Sequence, residues 1–141
     1  MTQSNSESNL HRALRMPKPF DVVVVGGGPA GLSAALWLAR YLHNVVVIDS
    51  GDPRNWETRG VNGFLGHQGI RSPELREIGR AEGAAFGVQF VSGIVDTAEN
   101  ETGDLFTVRL RDGSSMDGRR ILLAIGIKDV WPAIPGLSDC Y

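Results

Sequence analysis

Val22–Gly31 reads VVVVGGGPAG, four β-branched residues running straight into three glycines and a proline. A continuous β-branched run suits a parallel strand covered on both faces, and Phe20–Val25 is predicted to be one. The pattern then turns helical from Pro29 to Tyr41. Leu32, Ala35, Leu36 and Ala39 fall on one face at the i, i+3, i+4, i+7 spacing. Pro29 suits a first helical position, where its missing N–H is not needed. Val45–Asp49 is a second apolar strand. Strand, glycine turn, helix and strand within so short a span make a βαβ unit.

Gly26, Gly28 and Gly31 have the G-x-G-x-x-G spacing, a weak signal by itself. Its setting strengthens it: a buried strand precedes it, a helix follows, and an acid closes the next strand. That acid is Asp49, eighteen positions after Gly31, close to the offset of a ribose-binding carboxylate. Gly26 permits a tight exit from the strand, Gly28 lets a pyrophosphate approach the backbone, and Gly31 lets the helix sit close. The helix N-terminus carries unpaired N–H groups and about half a positive charge, which suits phosphate oxygens. Asp49 can accept from ribose hydroxyls, and its charge is expected to repel a 2′-phosphate. An adenine dinucleotide is the expected ligand, with NAD and FAD both open.

Further along, Gly51–Gly69 is a long loop, and Ser72-Pro73-Glu74 opens a helix with Ser72 as its predicted N-cap. That helix runs to about Phe86, with Gly87 as its stop. Val88–Thr97 returns to strand character, and Phe106, Val108 and Leu110 alternate with Thr107 and Arg109 as in a half-exposed antiparallel strand. Asp112-Gly113 and Asp117-Gly118 are hairpin signals, so Val88–Asp117 is read as an antiparallel meander. Ile121–Ala124 is predicted to be another buried strand. Trp37 is read as a core residue, and Trp56 and Trp131 as ordinary packing.

A length of 141 residues suits one domain with a real core. A formal charge of −2 gives no electrostatic case for nucleic acid or an anionic membrane. No apolar run approaches the roughly 20 residues that span a bilayer. Cys140 is the only cysteine, so neither an intrachain disulfide nor a cysteine zinc set can form. A cytoplasmic location is the expectation. Residues 1–18 are read as a disordered tail, with Met16 a candidate start beside Met1, and residues 19–141 as the folded part.

VVVVGGGPAG, the IDSG of Ile48–Gly51 and the LLAIG of Leu122–Gly126 resemble the FAD domain of two-dinucleotide-binding flavoprotein oxidoreductases. The loop GDPRNWETRGVNGFLGHQG and the helix SPELREIGRAEGAAFGVQFV are similar to the thioredoxin-reductase-like branch, including bacterial relatives and fungal dithiol oxidases. The resemblance covers about Phe20 to the C-terminus. It implies an α/β fold: a Rossmann-like FAD-binding domain with a parallel sheet and a small antiparallel meander, incomplete at its C-terminus.

By position, the resemblance places Gly28, Pro29, Ala30 and Gly31 at the pyrophosphate and Asp49 at the adenosine ribose. Ser50, Gly51, Asp52, Pro53 and Arg54 would line the adenosine side, with Arg54 a cationic partner near phosphate or adenine, and the backbone of Val95 would read the adenine edge. Gly26 and Asn55 are counted among the cofactor-binding residues as well. Asn62, Gly66 and His67 fall where the family loop follows the flavin, and Ala124 and Gly126 where the chain passes the cofactor. His67 is not read as a catalytic base, and no catalytic or metal residue is assigned. Ile125 replaces the family's threonine. The redox-active C-x-x-C of the disulfide reductases is absent, and Cys140 alone cannot cycle as a dithiol.

The resemblance implies the N-terminal FAD-binding part of a longer oxidoreductase, with NAD(P)H used by the full-length parent. Two other readings stand beside it. One is a non-catalytic module binding ADP, NAD or FAD. The other is a half-protein that needs a complementary chain or a homodimer.

Overall fold

The computed structural model describes residues 18–53, 59–100, 103–128, 130 and 132–136. Apart from Lys18, the predicted tail lies outside them, as do Arg54, Asn55, Trp56, Trp131 and Cys140. The elements are β1 (Val22–Val25), α1 (Pro29–Arg40), β2 (Val45–Asp49), α2 (Ser72–Ala85), β3 (Gln89–Ser92), β4 (Val95–Asn100), β5 (Phe106–Leu110), β6 (Ser115–Gly118) and β7 (Ile121–Leu123).

Two sheets form. β3-β2-β1-β7 is an all-parallel sheet, and β4-β5-β6 is an antiparallel one. Successive strand residues point to opposite faces, and the valine runs of β1 and β2 therefore feed two cores. Val22, Val24, Val45 and Val47 pack with Ala35 and Ala39 of α1. Val23, Val46 and Ile48 pack against Val108 and Leu110 of the antiparallel sheet. The central strands are thus covered on both sides, which is why they carry no alternation.

α2 lies beside α1, made possible by small residues. A Cβ at Gly79 would stand 3.1 Å from the Leu32 side chain, and one at Gly83 would stand 3.2 Å from Phe90. Both contacts are tight, so a larger residue would push α2 away from α1 at Gly79 and away from β3 at Gly83. This docking decides which α2 side chains reach β2.

Several expectations need correction. Val88–Thr97 is not one strand of the meander. β3 joins β2 in the parallel sheet, and the antiparallel unit starts at Val95. The break is at Gly93, whose amide bonds the Asp49 carbonyl at 3.0 Å. Asp112-Gly113 does close the β5–β6 hairpin, with Gly113 at φ 88°. Ser114 donates through its hydroxyl and its amide to Asp112, holding that carboxyl below its ordinary value. Asp117-Gly118 closes no hairpin, because β6 and β7 belong to different sheets.

The α2 N-cap is Arg71 rather than Ser72, and no side chain caps the helix. β7 sits at a sheet edge, with Leu123 exposed rather than buried. Leu36 is half-buried. Trp37 is exposed, with its ring 6.3 Å from that of Tyr41 and the Arg40 guanidinium 5.3 Å above it.

Candidate functional site

In open parallel sheets, ligands sit beyond the carboxyl ends of the strands, where the strand order reverses. Here β2 and β3 lie to one side of β1 and β7 to the other, so the reversal falls between β1 and β7. The glycine turn leaves β1 at that point, and Ala124 leaves β7 beside it. Ala124 N–H bonds the Val25 carbonyl at 2.8 Å.

The three glycines do different work. Gly26 has φ 110°, and a Cβ there would overlap the Ala124 carbonyl. At Gly31 a Cβ would overlap the Gly26 carbonyl oxygen and stand 3.3 Å from the Ala124 Cβ. Both glycines are required by packing alone. Gly28 is different. Its φ and ψ are −78° and 178°, a conformation any residue adopts and one favoured before proline. A Cβ there would meet nothing within 4 Å. Gly28 is the α1 N-cap, and no acidic residue stands in that helix's first turn to neutralise its positive end.

Asp49 lies beneath the turn. Its Oδ2 accepts from Arg76 Nη2 at 2.5 Å and from Arg80 Nη1 at 3.5 Å, and its Oδ1 accepts the Gly51 N–H at 3.2 Å. Arg76 Nε also donates to the Gly27 carbonyl at 3.2 Å. Arg76 is buried, and its bond to a carboxylate is of the charge-assisted kind. The Arg80 guanidinium lies 4.5 Å from the Phe90 ring centre. Asp49 is therefore not the bare anion expected: two guanidiniums stand on one of its oxygens, and the cluster does not present net negative charge.

Asp49, Ser50, Gly51, Arg76, Arg80 and Ser92 line an open cleft of about 370 Å³. Val95 begins β4 three residues beyond Ser92. The remaining expected residues do not line this cleft. His67 and Pro29 line a crevice of about 90 Å³ between α1 and α2, with the His67 ring 5.9 Å from Phe64. Asn62 accepts from Gln68 Nε2 at 2.7 Å. Gly66 and Gly126 have φ 79° and 65°, with nothing near a built Cβ.

The structure thus gathers Gly26, Gly28, Pro29, Ala30, Gly31 and Ala124 at the turn, and Asp49, Ser50 and Gly51 at the cleft. Arg54, expected as the cationic neighbour, is outside the described residues. Arg76 and Arg80, which sequence reasoning missed, bring two guanidiniums to the cleft beside Asp49. Their i, i+4 spacing puts them on one face of α2, but nothing local says that this face meets β2. Among the described residues no group of acids, histidines or cysteines could hold a metal ion. No helix there is long and apolar enough to cross a membrane.

A profile described as pyridine nucleotide-disulphide oxidoreductase matches residues 20–141. The chain belongs to that family. Within the pyridine nucleotide-disulphide oxidoreductases it is similar to a thioredoxin reductase of Gibberella zeae, at 33% identity over 89% of this chain and 40% of that protein. Among solved structures, HlmI is 44% identical with a TM-score of 0.80, covering 86% of this chain and 39% of that one. A thioredoxin reductase from Streptococcus pyogenes is 32% identical with a TM-score of 0.74, covering 83% and 38%. The chain therefore spans about two fifths of the length of these relatives. The fold is that of a thioredoxin-reductase-like flavoprotein, with the parallel sheet and the small antiparallel sheet both in place.

Proposed function

We propose that the chain binds the ADP half of FAD across the β1–α1 turn, as the FAD-binding portion of an NAD(P)H-dependent, thioredoxin-reductase-like oxidoreductase. The observation that carries this reading is Gly28. Protein packing explains Gly26 and Gly31 but offers no reason for a glycine at Gly28, and the empty space at its α-carbon is where a pyrophosphate would approach. The α1 N-terminus supplies donors and positive potential to that space. The 370 Å³ cleft beyond Asp49 supplies room and hydrogen-bonding groups for an adenosine. When bound, FAD supplies hydride chemistry, from NAD(P)H and on to a disulfide or small acceptor in the whole parent protein. The protein's part is to bind and orient.

Gly28→Ala separates this reading from simple packing. Loss of a glycine N-cap costs a few tenths of a kcal/mol or somewhat more, offset by about 0.4–1 kcal/mol from a stiffer unfolded chain. The thermal midpoint is expected to stay nearly unchanged, while affinity for FAD and for ADP falls at least about tenfold, or ~1.4 kcal/mol. Calorimetric titration of both proteins checks this. Equal affinities in the two would sink the reading.

The non-catalytic module remains the coarser reading. It is favoured if ADP binds as tightly as FAD, because the ADP half then carries all the affinity. Dependence on further polypeptide has its own support: Leu123, Ile125, Ile127, Val130 and Ile134 are all exposed beyond and along the open β7 edge. Among the described residues no strand pairs with the outer edge of β7, and such an edge with an apolar strip invites pairing. Sedimentation is expected to show self-association that grows with concentration, and a strictly monomeric chain would count against it. A cytoplasmic setting, where thiols stay reduced, fits the same parentage.

A further inference from the structure

Asp49 is a weak ribose reader unless something fixes which oxygen it offers. A carboxylate at a strand end can rotate, and each oxygen accepts about two hydrogen bonds. Here Arg76 removes that freedom. It reaches from the second turn of α2 to take Oδ2 through Nη2 at 2.5 Å and the Gly27 carbonyl through Nε at 3.2 Å. Arg80 adds its weaker hold on Oδ2 at 3.5 Å. The oxygen not held by arginine is Oδ1, where the Gly51 amide takes one lone pair at 3.2 Å and the second stays available. The same guanidinium thus ties the carboxylate to the glycine turn, two elements that would contact adjoining parts of an ADP moiety, its ribose and its pyrophosphate.

We infer that Arg76 is the positioning residue of the nucleotide site. It locks Asp49 against Gly27 so that Oδ1 reads the ribose hydroxyls in fixed register with the pyrophosphate cradle. This inference rests on the nucleotide-binding reading above. Arginine suits the task because its planar fork donates in two directions at once, which an ammonium group cannot do with fixed geometry. Holding a recognition group by a second, buried group is the usual way a site reaches the required precision.

The test compares ADP with 2′,3′-dideoxy-ADP, which lacks both ribose hydroxyls, by calorimetry on the whole chain. Wild type is expected to prefer ADP by about tenfold, one charge-assisted hydrogen bond's worth of discrimination. In Arg76→Met that preference is expected to fall below about twofold. Arg76→Lys keeps the buried charge, so it keeps the fold if the methionine variant does not, and its preference is expected to lie between the two. A merely structural role for Arg76 would weaken both nucleotides alike and leave the ratio unmoved. A ratio unchanged in every folded variant, or no preference in wild type, overturns the inference. Failure of wild type to bind ADP at all would overturn the nucleotide-binding reading itself.

Discussion

Gly31→Ala should be among the most damaging single substitutions in this chain. A methyl group at Gly31 overlaps the carbonyl oxygen of Gly26, and that oxygen cannot retreat. Gly26 is held at φ 110° with its own α-carbon against the Ala124 carbonyl, and its amide bonds Ile48 at 2.8 Å. The strain has to be relieved by moving α1 as a body, which opens its packing of Leu32, Ala35 and Ala39. Overpacking of this kind costs about 3 kcal/mol or more, and the thermal midpoint is expected to fall by roughly 10 °C. Thermal unfolding followed by circular dichroism measures it. A fall no larger than that of Gly28→Ala would show that the close approach of helix to turn has been misread.

Asp49→Asn is expected to cost about as much by a different route. The amide keeps the shape of the carboxylate but removes the negative charge on which the buried Arg76 and the Arg80 guanidiniums converge. Breaking one side of a buried ion pair costs about 3–5 kcal/mol. The double variant Asp49→Asn with Arg76→Met removes the buried guanidinium as well, so urea denaturation should show it more stable than Asp49→Asn alone. Nucleotide affinity should not return with stability, because the double variant offers the ribose only a neutral amide and lacks the arginine proposed to aim it. A double variant no more stable than the single one would mean that the pair is not coupled.

Much of this was readable along the chain. The β-branched runs gave β1 and β2, the glycine spacing gave the turn, and the acid at position 49 came from its offset alone. Such features are local, written in neighbours a few residues apart. What was not legible depended on docking. Val88–Thr97 alternates too little to tell a parallel edge strand from an antiparallel one, and the decision falls to Gly93, where the Leu110 side chain crowds any added Cβ. Trp37 has the helical position of a core residue, yet the face it occupies turns outward once α2 has taken its place beside α1. Arg76 and Arg80 look like an ordinary solvated pair on a helix until Gly79 and Gly83 bring that helix close. The charge on Asp49 was visible from the sequence. Its neutralisation was not.

The contact between Ala124 and the glycine turn also bears on the order of assembly. β1, α1 and β2 are neighbours in sequence and can find one another through short loop closures. β7 pairs with β1 across almost the whole described chain, and closing so long a loop carries a larger entropic cost before any contact rewards it. The pairing that brings Ala124 to the turn therefore spans a long stretch of chain, and it rests on an edge strand of the parallel sheet. A bound nucleotide touching both sides of that seam would act as a clasp, fastening a distant pairing of the chain to a local one.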